Sequence, residues 1–205
     1  MARPKLTERR RLQTLQAAVE VIAERGLCDT RIADVAARAG SSPALILYYF
    51  GTKDRLLTEA LAFAEDRFYL DIFHELTGMR HPADRLVRLI ELSCPEDGEP
   101  DWTLWIELWS RALRDSEAAR KREALDRRWR QTIADTVRDG QRAGEFADVD
   151  PDEFAFKLAA MMDGLAIQVL LRDSELTRDR MRELCLQMVE RELEMTLEGA
   201  EESAS

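Results

Sequence analysis

The chain has 205 residues, 45% of them hydrophobic, and a formal net charge of −10 at pH 7. That length suits one large domain or two smaller ones, and that hydrophobic share excludes a disordered chain. No uninterrupted apolar run reaches the roughly 18 residues that a membrane-spanning helix needs. The stretch Met1-Ala2-Arg3-Pro4-Lys5-Leu6-Thr7 runs into Arg9, Arg10 and Arg11 without the apolar core of a signal peptide, so a cytoplasmic location and no membrane partner are expected. Charge is unevenly spread. Residues 1–55 hold ten Lys/Arg against six Asp/Glu, a balance of +4, and the remainder carries −14. A basic first part on an acidic body suits a nucleic-acid reader joined to a second, non-binding domain, because phosphates respond to local surface charge.

In chain order, nearly everything predicts helix, since no stretch sustains period-two alternation. A first helix runs from about Thr7, its cap, to Arg25, with Leu12, Leu15, Ala18, Val19 and Ile22 on one face and Gly26 as its stop. A short helix over about 31–38 follows, with Thr30 as cap. Gly40 ends it, and a third helix opens on Ser42 as cap with Pro43 at its first position, where the missing N–H costs nothing. Gly51-Thr52 breaks the chain, and Thr52 caps a long fourth helix carrying Leu56, Leu57, Ala60, Leu61, Ala64, Phe68 and Ile72 on one face. A fifth helix is predicted over 83–93, a Trp-rich sixth over 101–114, an Arg-rich seventh over 116–143, an eighth over 151–172 behind Asp150-Pro151, and a ninth over 177–197. The fold class is thus all-α, about nine helices. Its domains are a helix-turn-helix unit over 1–52, a helical bundle over 53–198 and a frayed tail over 199–205.

Cys28, Cys94 and Cys185 lack metal-ligand or redox spacing and read as small buried or half-buried thiols. His74 and His81 have no cysteine cluster beside them. No Ser/His/Asp or Cys/His arrangement, glycine-rich phosphate loop or carboxylate-histidine motif is present, so neither an enzyme nor a cofactor or metal is expected.

The second and third helices carry the functional reading. Two short helices around a tight glycine turn make a helix-turn-helix, in which the first braces the second and the second enters the major groove of duplex DNA. Ile32, Val35, Ala36 and Ile46 supply the small core that sets their angle. Ser41, Ser42 and the N–H groups at the helix start can meet phosphate. The third helix offers Ser41, Ser42, Tyr48 and Tyr49 but no Arg, Asn or Gln, the side chains of bidentate base contacts. Phosphates therefore supply much of the expected affinity, and thymine methyls and DNA shape part of the base selection. Arg3, Lys5 and Arg9–Arg11 read either as further DNA contacts or as a solvated arm.

The stretch Ile32-Ala33-Asp34-Val35-Ala36-Ala37-Arg38-Ala39-Gly40, followed by Tyr48-Tyr49-Phe50-Gly51-Thr52-Lys53-Asp54-Arg55-Leu56-Leu57, resembles the DNA-binding domain of the TetR/AcrR family over about residues 8–60. The layout beyond it is similar to the carboxy-terminal domain of the choline-responsive, BetI-like branch. The resemblance implies that Ser42, Pro43, Ala44, Leu45, Tyr48 and Tyr49 lie at or near DNA. It also implies that Lys53 reaches a phosphate and that Thr30 stands at a phosphate-contacting cap. Three residues depart from the family pattern. Leu47 stands where a tyrosine is usual, Leu45 replaces a frequent threonine, and Ala33 replaces a frequent arginine for which Arg31 can substitute.

Trp102, Trp105 and Trp109, spaced by three and four, share a helix face. They read either as core or as an aromatic wall for a planar or cationic effector. Phe68, His74, Trp129 and Met162 are further candidates for lining a ligand site. Helices eight and nine have apolar stripes broad enough to serve core and partner at once, with Phe154, Leu158, Leu165, Val169, Leu184 and Met188 as candidates for a homodimer interface built as a four-helix bundle. The expected function is a repressor that binds a palindromic operator as a homodimer and releases it when a small molecule binds the second domain. Two alternatives stay open: a DNA-binding regulator answering to a protein partner or to no ligand, and a helical enzyme.

Overall fold

The computed structural model describes residues 3–96 and 100–195. They form helices α1 (Arg3–Asp29), α2 (Ile32–Arg38), α3 (Pro43–Phe50), α4 (Lys53–Gly78), α5 (Pro82–Ser93), α6 (Pro100–Ala112), α7 (Ser116–Ala143), α8 (Pro151–Leu170) and α9 (Arg178–Leu193), with no strand among the described residues. No helix among them is long and apolar enough to cross a membrane. The chain packs as two compact units, one of Met1–Asp71 with Glu99–Leu125 and one of Ile72–Gly98 with Asp126–Ser205. The division falls inside α4 and α7.

Local chemistry sets most helix ends. Ser42 Oγ accepts the Leu45 N–H at 3.2 Å, Thr52 Oγ1 accepts the Arg55 N–H at 3.1 Å, and Thr177 Oγ1 accepts the Arg180 N–H at 3.2 Å. Asp150 Oδ1 accepts the N–H groups of Asp152 and Glu153 at 2.9 and 3.1 Å. The structure differs from expectation at the first helix. It reaches back to Arg3, past the expected Thr7 cap, while Gly26 breaks the helix where expected, at φ 78° and ψ 163°, with a short further helical stretch to Asp29. Thr30 is not the cap of α2 either. Arg31 holds that position, because the Thr30 hydroxyl donates to the Gly26 carbonyl at 2.8 Å and Thr30 is itself buried. Leu12, expected on the inner face, is exposed, while Thr14, Ala17 and Val21 are buried. At the other end α9 stops at Leu193, where Glu194 turns left-handed (φ 51°). The expected frayed tail over 199–205 lies outside the described residues.

In the first unit Leu15, Ala18, Ile22, Leu56, Leu57 and Leu61 bury their side chains with Leu104 and Leu108 of α6. Tyr69 is buried too, and its hydroxyl donates to the Leu125 carbonyl at 3.1 Å. In the second unit the core is Leu86, Leu89 and Ile90 of α5, Ile133 and Val137 of α7, Phe154, Leu158 and Met162 of α8, and Met181, Cys185 and Val189 of α9. Burial pushes the Cys94 and Cys185 thiols up to about 11 and about 12, so both are neutral at pH 7. Cys28, expected to be at least half-buried, is exposed.

Gly140 on α7 is a packing glycine. A Cβ there would lie 2.1 Å from Phe146 Cδ2 and 2.6 Å from its Cγ, so the ring would have to leave its buried seat. Gly140→Ala is expected to destabilise the chain by about 1–3 kcal/mol, the usual cost of overpacking, despite alanine's better helix propensity. Guanidinium denaturation reads this directly, and an unchanged midpoint would mean that Phe146 moves freely.

Candidate nucleic-acid interface

The helix-turn-helix lies wholly within the first unit. Val35 and Ala36 on α2 and Ile46 and Phe50 on α3 are buried, and Ile32 is half-buried, as the sequence predicts for the core that sets the angle between them. The turn is closed by the Ser41 N–H on the Ala36 carbonyl (2.9 Å) and the Ala39 N–H on the Val35 carbonyl (2.9 Å), with Gly40 at φ 58°. A residue with a Cβ is disfavoured there. The same holds at Gly51 (φ 78°), whose N–H closes α3 onto the Leu47 carbonyl at 2.8 Å.

Charged side chains brace this head from behind. Arg38 on α2 spans two acids of α1, Glu20 at 3.1 Å and Glu24 at 2.7 Å. Hydrogen bonding to Glu24 first, then Glu20, raises the already high pKa of that guanidinium, so its charge is permanent. Arg25 pairs with Asp34 at 3.0 Å. Glu59, almost buried on α4, is gripped by Arg11 of α1 and by Arg55 at 3.0 Å, and the Arg11 guanidinium lies 5.0 Å over the Phe50 ring. Arg11 is therefore committed to holding α1, α3 and α4 together, whereas Arg9 and Arg10 are exposed.

Most of the sequence-derived DNA candidates are at least partly exposed on the head. Arg31, Ser42, Pro43, Ala44 and Tyr48 are exposed, and Ser41, Leu45, Tyr49 and Lys53 are half-buried. Lys53 Nζ donates to the Cys28 carbonyl at 3.4 Å and keeps two further N–H donors for a phosphate. Thr30 turns its hydroxyl inward, as described above. Leu47, at 42% exposure, belongs to the same surface, and sequence reasoning left it out because it departs from the usual tyrosine. Its position three residues after Ala44 on α3 was the available signal.

The ligand candidates fall in both units. In the first, Trp102 is buried, Trp105, Trp109 and Phe68 are half-buried, and the rings of Trp105 and Trp109 meet edge-on at 5.8 Å between centroids. Trp109 Nε1 is buried without a hydrogen-bond partner. Glu65 of α4, in the same unit, is buried to 3% exposure and was not foreseen. In the second unit His74 is exposed, Trp129 half-buried and Met162 buried. Helix α6 also bonds to the DNA-reading head. Glu107 Oε1 accepts the Leu27 N–H at 3.4 Å beside the Gly26 interruption, and Arg111 pairs with Asp54 in the first turn of α4 at 3.0 Å. Of the dimer candidates, Phe154 and Leu158 are buried in the second unit's own core, and Leu165, Val169, Leu184 and Met188 are half-buried. Phe156 and Leu171 on and just after α8 are exposed, at 61% and 75%.

An all-helical chain with a braced helix-turn-helix ahead of a helical bundle has the build of a helix-turn-helix transcriptional regulator. Residues 15–60 match the bacterial regulatory proteins of the tetR family, and residues 82–194 match the carboxy-terminal domain of BetI-type transcriptional repressors. The HTH-type transcriptional regulator BetI of Rhizobium meliloti is 31% identical over 170 residues, covering 82% of this chain and 81% of the relative. A transcriptional regulator from Saccharomonospora viridis, solved in complex with choline, is 36% identical with a TM-score of 0.77, covering 88% of this chain and 95% of that one. A TetR-family regulator from Rhodococcus sp. is 27% identical with a TM-score of 0.74, covering 90% and 98%. The chain belongs to the TetR family of bacterial transcriptional regulators and carries a BetI-type carboxy-terminal domain.

Proposed function

We propose that this regulator represses transcription by binding a palindromic operator as a homodimer, and that a small organic cation binding its second domain releases it. The DNA-reading domain is residues 1–52 and the effector and dimer domain residues 53–198. The observation that carries the reading is α3, seated on a buried core with the Arg11 guanidinium over Phe50, in a head whose other helices are braced by the ion pairs of Arg38 and Arg25, with Ser42, Pro43, Ala44 and Tyr48 exposed at its start and along it. Arg31, Ser41, Ser42, Tyr49 and Lys53, with the backbone at Thr30, serve the phosphates. Pro43, Ala44, Leu45 and Tyr48 face the groove. Two copies joined through α8 and α9, with Leu165, Val169, Leu184 and Met188 at the seam, set the reading helices one duplex turn apart, about 34–36 Å. Two half-sites then bind as one unit.

Three observations support a cation as effector. The similar Saccharomonospora viridis regulator binds choline. Trp105 and Trp109 form an edge-on pair whose faces suit a quaternary ammonium, and Glu65 places a buried carboxylate in the same unit. The unpartnered Trp109 Nε1 would donate to a hydroxyl or carboxylate on the effector. Because α6 carries the tryptophans and bonds to the head through Glu107 and Arg111, occupancy there shifts the balance between the DNA-competent arrangement and others. Operator must then weaken the effector by the same factor as effector weakens operator.

The test is operator selection from a random duplex pool, followed by titration of the complex with choline. Recovery of an inverted repeat, released by choline, is the expected result. A single asymmetric half-site would sink the dimer, and choline-resistant binding the effector assignment. Lys53→Ala adds a sharper reading. It should weaken binding on every sequence and reduce the slope of log K against log[salt] by about one per half-site. An unchanged slope removes Lys53 from the phosphate contacts.

A further inference from the structure

We infer that α3 selects its operator by apolar contact with thymine 5-methyl groups, through Ala44, Leu47 and Tyr48, rather than by hydrogen bonds to base edges. The inference rests on the DNA-binding reading above and specifies its chemistry. Ala44, Leu47 and Tyr48 stand at i, i+3 and i+4, one face of the helix, and all three are exposed, Leu47 at 42% and Tyr48 at 79%. Ile46 and Phe50 occupy the opposite, buried face. The outward face of Pro43–Phe50 thus carries a methyl, an isobutyl group and an aromatic ring, and its one side-chain hydrogen-bonding group is the Tyr48 hydroxyl at the ring's far end.

Several neighbouring polar groups are engaged within the head, while Arg31 beside α2 is exposed. Ser42 Oγ accepts the Leu45 N–H at the helix cap. Arg38 is held by Glu20 and Glu24, Arg25 by Asp34, and Arg55 by Glu59. Freeing any of these cations for a base would cost the head its brace. In the major groove thymine is the base that presents an apolar group, its 5-methyl, and cytosine shows only a donor edge there. An exposed apolar strip has nothing to gain from a guanine or adenine edge, whose acceptors it would strip of water without replacement. Against thymine it removes apolar surface from water on both sides. The methyl lies to one side of the base pair, so the contact also distinguishes T·A from A·T.

The experiment keeps the protein whole and changes the DNA. In the selected operator each thymine is replaced in turn by deoxyuridine, which deletes the methyl alone. Each contacted methyl should cost about fourfold in affinity, the transfer value of one apolar carbon, and a symmetric pair about fifteenfold. Placing 5-methylcytosine opposite guanine at such a position should bind tighter than plain cytosine by the same fourfold. Replacing purines by their 7-deaza analogues, which lack the N7 acceptor, should change affinity less than twofold. Leu47→Ala should erase the thymine-over-uracil preference at the methyl that Leu47 contacts, and Tyr48→Phe should keep the preference at every position. Neutral deoxyuridine at every position overturns the inference. So does a tenfold loss with a 7-deazapurine, which would return selection to a hydrogen-bonding group such as Arg31. Failure to retain any duplex even at low salt would instead defeat the DNA-binding reading itself, whereas retention without sequence preference defeats only the methyl readout.

Discussion

Replacing Phe50 by alanine is expected to cost about 3–5 kcal/mol of stability and to abolish sequence-specific DNA binding. Phe50 is the last residue of α3, with 1% of its surface exposed, and Ile46 one turn earlier is fully buried. Truncation to alanine deletes the ring and leaves a cavity where α3 seats on the head, and packed interiors collapse only partly into such gaps. It also removes the surface on which the Arg11 guanidinium lies, a contact of about 0.5–1 kcal/mol at this partial exposure. Gly51 follows at positive φ, so the helix cannot be lengthened to compensate. Denaturation followed by far-UV circular dichroism, beside gel-shift titration on the selected operator, reads both effects. Phe50→Leu should recover most of the stability and part of the binding. A loss below about 1 kcal/mol for the alanine variant would mean that α3 is held mainly by Ile46 and its other packing contacts.

On the proposed effector reading, Trp105→Ala is expected to weaken choline binding by about thirtyfold while leaving operator affinity within a factor of two, so that release needs about thirtyfold more choline. The figure follows from about 2 kcal/mol for a desolvated cation over an indole face. Trp105 is half-buried, so its removal leaves the core largely intact, whereas Trp102, 8% exposed, should behave as core and lose stability instead. Calorimetric titration with choline and operator titration on the same sample separate the two. Equal loss of both affinities would make Trp105 a packing residue. Glu107→Ala tests the connection to the head. It deletes the acceptor of the Leu27 N–H, and it should bind choline normally yet reduce the release of DNA. Coupling free energies of this kind commonly amount to about 1–3 kcal/mol, so losing one strut should lower a many-fold release by a measurable fraction.

The helix-turn-helix was largely legible because its determinants are local. Ser42-Pro43, Gly40 and Gly51-Thr52 act within a few residues of themselves, and each does in the structure what its chemistry demands. The same locality misleads at Thr30. Its hydroxyl has two acceptable partners, a cap site ahead of it and a carbonyl behind it, and only the path of the chain at Gly26 brings the second within 2.8 Å. From the sequence Arg11 reads, with its neighbours, as a solvated arm or a DNA contact, since nothing adjacent reveals that Glu59 lies 48 positions away to receive it. Glu107 and Leu27 are separated by 80 positions, and no periodicity reports such a pair.

The order of apolar and polar residues by itself determined nine helices among the described residues, the exposed α3 and the basic character of the first part, because helix period, caps and charge are properties of short windows. Tertiary structure alone decided which helices share a unit. It grouped the Trp-rich α6 with the DNA-reading head, and it sent Phe154 and Leu158 into the second unit's own core. An apolar stripe states that a face must be buried; what buries it depends on which distant helix arrives, and that choice is made by packing of the whole chain.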